Sequence, residues 1–465
     1  MRAHEAGALH AEAGQRSPSW LQVPDDPNAL VDRLWPRHLV KRADGVVEVA
    51  GVAVTDLAAE YGTPVYVVDE DDFRARASAY KDAFAGCDVY YAAKAFLSIA
   101  TARWVAEEGL GLDVCTGGEL AVALRAGVDP SRIGFHGNNK SDSELRRAVA
   151  AGVGRVVVDS LAEIARLGRI AGAARRQQAV LLRVTAGVEA HTHEYIATSH
   201  EDQKFGLSIT DGVALEAMQA VEAEPGLQLA GLHSHIGSQI FDSSGFEVAA
   251  RRVLALYARG IEAGMALGEL NLGGGFGIAY TTRDDPAEPM VLAQDLIGIV
   301  DRECRGLGLD VPHLSVEPGR AIAGPSTFTL YEVGTVKEVT LDAGASRLYV
   351  AVDGGMSDNI RTALYDADYS CTLASRHSVA RPVLARVVGK HCESGDIVVK
   401  NEFLPDDVRA GDLLAVPATG AYCRSLASTY NHVPRPPVVA VRQGRARVVV
   451  RRETEDDLLR LEASA

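Results

Sequence analysis

The chain has 465 residues, enough for two or three domains, and 47% of them are apolar, enough for a large core. Its formal charge of −15 argues against a nucleic-acid or anionic-membrane surface, since such partners need basic patches. The six cysteines (Cys87, Cys115, Cys304, Cys371, Cys392, Cys423) include no CxxC pair and are too few for a disulfide scaffold, which points to a reducing, cytoplasmic setting.

In chain order, residues 1–20 hold no apolar run suited to a signal peptide and read as a disordered extension. No later stretch approaches the ~18 apolar residues of a membrane span, so a soluble protein is expected. Within an N-terminal segment, 21–65, DGVVEVAGVAV (44–54) reads as β structure that pairs with a C-terminal β domain. Eight strand-like runs follow: DVYYAAK (88–94), LGLDVC (110–115), RIGFHG (132–137), RVVVDS (155–160), AVLLRV (179–184), LAGLHSHIG (229–237), ELNLGG (269–274) and HLSVEPG (313–319). Helical stretches separate them. One, residues 160–176, has apolar residues at helical spacing after a Ser suited to an N-cap. Eight such units predict a (β/α)8 barrel over 66–325, with an open doubly wound sheet as the alternative. Beyond it, runs at 328–339, 347–353, 382–390 and 411–418 and a hairpin over 436–453 with Gln-Gly at its turn predict an all-β domain, 326–465.

A barrel places function where its strands end. Those ends carry Lys94, Asp113, His136, Asp159–Ser160, Arg183, His235, the Gly273–Gly277 cluster and Glu317. Alone, Lys94 is open to three readings: a snorkelling cation, half of an ion pair, or an amine that attacks an aldehyde once burial lowers its pKa. LGGGFG (272–277) lets backbone N–H groups approach a phosphate, as loops near the seventh and eighth barrel strands do. Glu317 supplies a carboxylate able to hold a pyridine nitrogen protonated. Aldehyde, phosphate and pyridine together describe pyridoxal 5'-phosphate. Cys115 is open between a core residue and a pocket wall, and Arg183 and His136 read as supports beneath the cofactor.

The ordered motifs YYAAKAF, DVCTGGEL, HGNNK, HSHIGSQ, LGGGFG, EPGRAI, DGGMSDNIR, KHCESGD and GAYC…YN span residues 90–431. The chain resembles the fold-type III pyridoxal-phosphate decarboxylases and, within them, the diaminopimelate decarboxylases. That resemblance implies an alanine-racemase-type barrel plus β domain, working as a homodimer with shared active sites. It implies that Lys94 bonds the cofactor aldehyde, Glu317 holds the ring nitrogen and His235 lies against the ring face. Ser238, Gly274, Gly275, Gly319 and Arg320 would surround the phosphate, with Tyr422 close by. Arg320, Arg361, Tyr365 and Tyr422 would bind substrate, and Cys392 and Glu393 would reach in from the partner subunit. The implied reaction takes meso-2,6-diaminopimelate to L-lysine and CO2, acting at the D-configured carbon. Arg361 and Arg320 suit the distal carboxylate and Glu393 the distal ammonium, with Cys392 as the acid that protonates the product.

Alternatives within this cofactor class are an alanine racemase or an ornithine or arginine decarboxylase. The latter has no distal carboxylate for Arg361 to bind. From another class, the His-x-His pairs His233/His235 and His191/His193 suit a metal-dependent amidohydrolase barrel, although here the lysine comes first and the histidines sixth. No metal is expected, and a non-enzymatic cofactor-binding protein would resemble the barrel alone.

Overall fold

The computed structural model describes residues 17–187, 204–340 and 346–463. Most of the 1–20 extension and the stretch holding His191 and His193 lie outside the described residues. The chain divides into two units. One comprises Arg74–Gly277 and Pro286–Ile322; the other comprises Met1–Phe73, Ile278–Asp285 and Ala323–Ala465.

The first unit is built on eight parallel strands: Asp88–Ala92, Gly111–Val114, Ile133–Phe135, Arg155–Val158, Gln178–Thr185, Leu227–His233, Glu269–Asn271 and His313–Val316. Each pairs with the next, and the eighth returns to pair with the first, so the sheet closes into the expected barrel. Most of these strands read as unbroken apolar runs because the barrel buries them on both faces. The open-sheet alternative is excluded by this closure. The first strand is shorter than its apolar run. Its ladder stops at Ala92, where the Ala92 amide turns to Pro318 O (3.2 Å) and the Ala95 amide bonds back to Ala92 O (3.1 Å). Lys94 therefore stands in a turn two residues past the strand.

Polar side chains at the helix starts pin the ends of the strands before them. Thr116, Ser141 and Ser160 each accept from the backbone N–H three residues on, capping the helices Gly117–Ala126, Asp142–Ala151 and Leu161–Ala173. The glutamates three residues after these caps work in reverse. Glu119 accepts from the Cys115 amide (2.6 Å), Glu144 from Ser141 (2.9 Å) and Gly117 (2.7 Å), and Glu163 from Asp159 (2.9 Å).

The second unit centres on the long strand Thr327–Thr340. It pairs antiparallel with Val65–Asp69, Ser346–Val352 and Leu413–Val416. Val438–Arg442 runs parallel to Val65–Asp69 and forms a hairpin with Arg445–Val450. Gln443 and Gly444 have φ of 50° and 72° at its turn, the doubly left-handed geometry that suits a two-residue hairpin. The N-terminal strand that enters this sheet is thus Val65–Asp69. The 44–54 run instead builds a small sheet with Leu39–Lys41, tied to the C-terminal part by a bridge from Val46 to Ser375. Leu34, Trp35, Val47, Val65, Phe328, Leu330 and Val439 share one core. All six cysteines are free thiols. Among the described residues, no helix is long and apolar enough to cross a membrane.

Candidate active site

The ends of the barrel strands enclose a cavity of about 630 Å³, lined by Lys94, Asp113, Cys115, His136, Arg183, His233, His235 and Glu317 among others. Six of the eight strand ends, far apart in sequence, thus meet at one mouth. Cys115 is a pocket wall, half-buried, its thiol pushed up by burial. Lys94 is exposed at this mouth. The burial invoked to activate it is therefore not supplied by its own surroundings, because the turn after Ala92 carries the side chain clear of the barrel core.

Glu317 is the electrostatic centre. Its Oε1 lies 3.1 Å from His233 Nε2, 3.2 Å from His136 Nε2 and 2.8 Å from Asn271 Nδ2. Burial alone would raise its pKa; the two imidazoles hold it well below the ordinary glutamate range. Glu317 is thus a buried carboxylate kept ionised by partners from the third, sixth and seventh strands. The metal-dependent amidohydrolase reading paired His233 with His235, but the two diverge. His233 faces Glu317, whereas His235 Nδ1 accepts the Gly274 amide at 3.2 Å. An Nδ1 acceptor leaves the proton on Nε2, and burial followed by repulsion from Lys94 lowers the His235 pKa well below 6.5. His235 is therefore a neutral, flat surface.

The glycine cluster is held by its neighbours rather than by its own flexibility. A Cβ on Gly274 would sit 2.2 Å from Glu317 O. Gly275 has φ of 107° and a Cβ there would meet Gly237 O at 2.5 Å. Close by, Arg320 Nη2 donates to Ser238 Oγ at 2.9 Å, so a cation and a hydroxyl are already paired. Gly319 packs against Ala92, where a Cβ would fall 2.8 Å from Ala92 O. Gly274→Ala is expected to cost roughly 1–3 kcal/mol of stability and to weaken binding at the cradle. Gly298→Ala, on a helix where a Cβ meets nothing within 4 Å, should be neutral or stabilising. Thermal melts and cofactor titrations of the two variants check this.

The second unit holds the remaining candidates. Arg361 is 5% exposed and lies 4.5 Å from the Tyr280 ring centroid and 5.6 Å from that of Tyr369, whose hydroxyl is 2.6 Å from Arg361 Nη1. It makes no ion pair among the described residues, and its Nε has no hydrogen-bond partner there. A buried guanidinium without a counter-charge suits an arriving carboxylate. Tyr365 is exposed at the end of the short helix Arg361–Tyr365. Cys392 and Glu393 are exposed, and the Cys392 amide donates to Asn431 Oδ1 at 3.2 Å. Tyr422 is half-buried with φ of 62°. Sequence reasoning missed His233 as a partner of Glu317, and it missed Asn271 and Asn431. Asn271 could have been found as a polar residue closing the seventh strand.

The model of the pyridoxal-dependent decarboxylase pyridoxal-binding domain matches residues 70–324. The chain is 57% identical to diaminopimelate decarboxylase of Mycobacterium leprae, covering 99% of this chain and 100% of that protein. It belongs to the diaminopimelate decarboxylase family of pyridoxal-dependent decarboxylases. The enzyme of Mycobacterium tuberculosis strain H37Rv is 60% identical over 93% of this chain and 98% of its own. The crystal structure of diaminopimelate decarboxylase from M. jannaschii superposes with a TM-score of 0.85 at 29% identity, covering 92% of this chain and 98% of that one. The same protein has been solved in complex with L-lysine. The cofactor of this family is pyridoxal 5'-phosphate, and the residues at the barrel mouth fit it. An amine, an ionised buried carboxylate, a neutral imidazole face and a glycine cradle that a single Cβ would fill lie on one set of strand ends.

Proposed function

We propose that this chain decarboxylates meso-2,6-diaminopimelate at its D-configured carbon, releasing CO2 and L-lysine with the help of pyridoxal 5'-phosphate. The observation that carries this reading is the shared cavity of Lys94 and ionised Glu317 on a chain 57–60% identical to diaminopimelate decarboxylases over nearly its whole length. When bound, the cofactor accepts the electron pair left as the carboxylate departs. The protein's residues do the rest. Lys94 would supply the amine for the aldehyde carbon, Glu317 would keep the ring nitrogen protonated, and neutral His235 would offer a flat surface to the ring. Ser238, Gly274, Gly275, Gly319 and Arg320 hold the phosphate. Arg361, with Arg320, Tyr365 and Tyr422, binds carboxylate, Glu393 takes the distal ammonium, and Cys392 returns a proton to the carbon. Loaded protein mixed with meso-diaminopimelate should yield equal amounts of CO2 and L-lysine, whereas ornithine and arginine should yield none. Absence of lysine from cofactor-loaded protein would remove this function.

Arg361→Met keeps the volume between the tyrosines while removing the charge. It is expected to raise KM for diaminopimelate roughly 10–100-fold, the loss of one or two charged hydrogen bonds, with cofactor affinity unchanged. Comparable losses in both would count against a substrate-carboxylate role.

The protein works, in this reading, as a cytoplasmic homodimer. The exposure of Cys392 and Glu393 supports their donation to a partner's site, and six free thiols suit a reducing compartment. Mixing inactive Lys94→Ala with inactive Cys392→Ala protein should restore part of the activity, because one site of the mixed dimer regains both residues. No restoration after subunit exchange would refute the sharing.

A further inference from the structure

Glu317 is contacted by two imidazoles whose surroundings push their pKa values in opposite directions. His233 Nε2 faces Glu317 Oε1, and its Nδ1 is buried without a hydrogen-bond partner. A second proton on Nδ1 would be stranded, so His233 is a neutral donor, its pKa pushed down to about 4 by burial. His136 differs because a second carboxylate adjoins it. Its Nε2 lies 3.2 Å from Glu317 Oε1 and 3.3 Å from Asp113 Oδ1. Burial opposes its proton, but Asp113 and then Glu317 outweigh burial and raise its pKa. Asp113 itself is buried and pushed up to about 7 by burial, against the pull of His136.

His136 Nε2 therefore stands between two carboxyl groups that favour its cationic form. A protonated ring nitrogen on Glu317 would be a second cation on that carboxylate, and like charges sharing one buried counter-ion disfavour each other. That second cation would also favour loss of the Asp113 proton, and with Asp113 ionised two negative charges face two positive ones. We propose that Asp113 is a positioning residue for the cofactor: it supplies the second counter-charge that lets His136 and the ring nitrogen both stay protonated against Glu317. The other charged or titratable groups that act on this pair are His233, Arg183, Lys94, Cys115, Glu119 and Asp159. Of these, Arg183 is a cation that adds to the demand for a second anion, as does Lys94 until it bonds the aldehyde, while the carboxyls of Glu119 and Asp159 oppose it.

This inference rests on the reading of Glu317 as the ring-nitrogen partner, and one experiment separates the two. Cofactor labelled with 15N at the ring is bound to the wild type and to Asp113→Asn, and the ring and His136 nitrogens are followed by NMR against pH. In the wild type both are expected to be protonated at neutral pH. In Asp113→Asn the summed proton occupancy falls from two toward one. The pH midpoint of the weaker cation drops by about one unit or more, a tenfold loss of proton affinity. Because His136 is the competing cation, Asp113→Asn/His136→Gln should regain ring protonation, and His136→Gln alone should keep it. Midpoints in Asp113→Asn that match the wild type, or loss of ring protonation in His136→Gln, would overturn the inference. An unprotonated ring nitrogen in the wild type would instead overturn the reading of Glu317.

Discussion

Lys94→Ala is expected to lower kcat for diaminopimelate on the order of 10^3-fold or more, since in the proposed function it removes the amine that holds the reacting aldehyde. The protein should still bind cofactor through the glycine cradle and Glu317, but reversibly, without the absorption band of a lysine-bound aldehyde. The fold should be unaffected. Lys94 is exposed, in a turn past the strand, and the core of its run is carried by Tyr91, Ala92, Ala93 and Ala95. A melting temperature near the wild-type value, with activity gone, is the expected pair of results. Retention of the band would pass the role to another lysine, and among the described residues Lys204 is the other one lining the cavity.

Glu317→Gln is expected to cost roughly 10^2–10^4-fold in kcat, the range for loss of a group that controls a proton in the transition state. The amide keeps the shape of the carboxyl but not its charge. His136 would then retain Asp113 alone as an anionic neighbour, and a ring nitrogen at position 317 would face a neutral group. Substrate affinity should change far less than turnover, because none of the contacts to Glu317 comes from the residues assigned to the distal carboxylate. Unchanged kcat would show that a protonated ring is not needed for this decarboxylation.

The barrel was legible because its strands are buried on both faces. An apolar run with a polar residue at its end needs no alternation to be recognised, as YYAAKAF shows. Glu317 was legible as a candidate from its place at the eighth strand end and the motif around it, and the structure puts it in the cavity. What surrounds Glu317 was not. His233 and His235 are two residues apart and read as a pair, yet a strand ending between them sends one to Glu317 and the other to the Gly274 amide. Contacts among the second, third, sixth, seventh and eighth strands are set by barrel closure, which no local pattern encodes. The strand Ile397–Pro405 was also missed. It lies at the sheet edge and carries half-buried Lys400, Asn401 and Glu402 in its middle, so neither an apolar run nor a clean alternation marks it. Val65–Asp69 reads like a first barrel strand, being apolar and followed by a helix. Its ladder partners, Thr327–Leu330 and Val438–Val441, lie more than 250 residues away.

The central claim is that the cofactor is carried at the end of the first barrel strand. The most direct test is reduction of the loaded wild-type protein with borohydride, which fixes the cofactor to its lysine, followed by peptide mass spectrometry. One modified residue, Lys94, is expected. Label on Lys204, or on buried Lys140 with its partner Glu163, would contradict it.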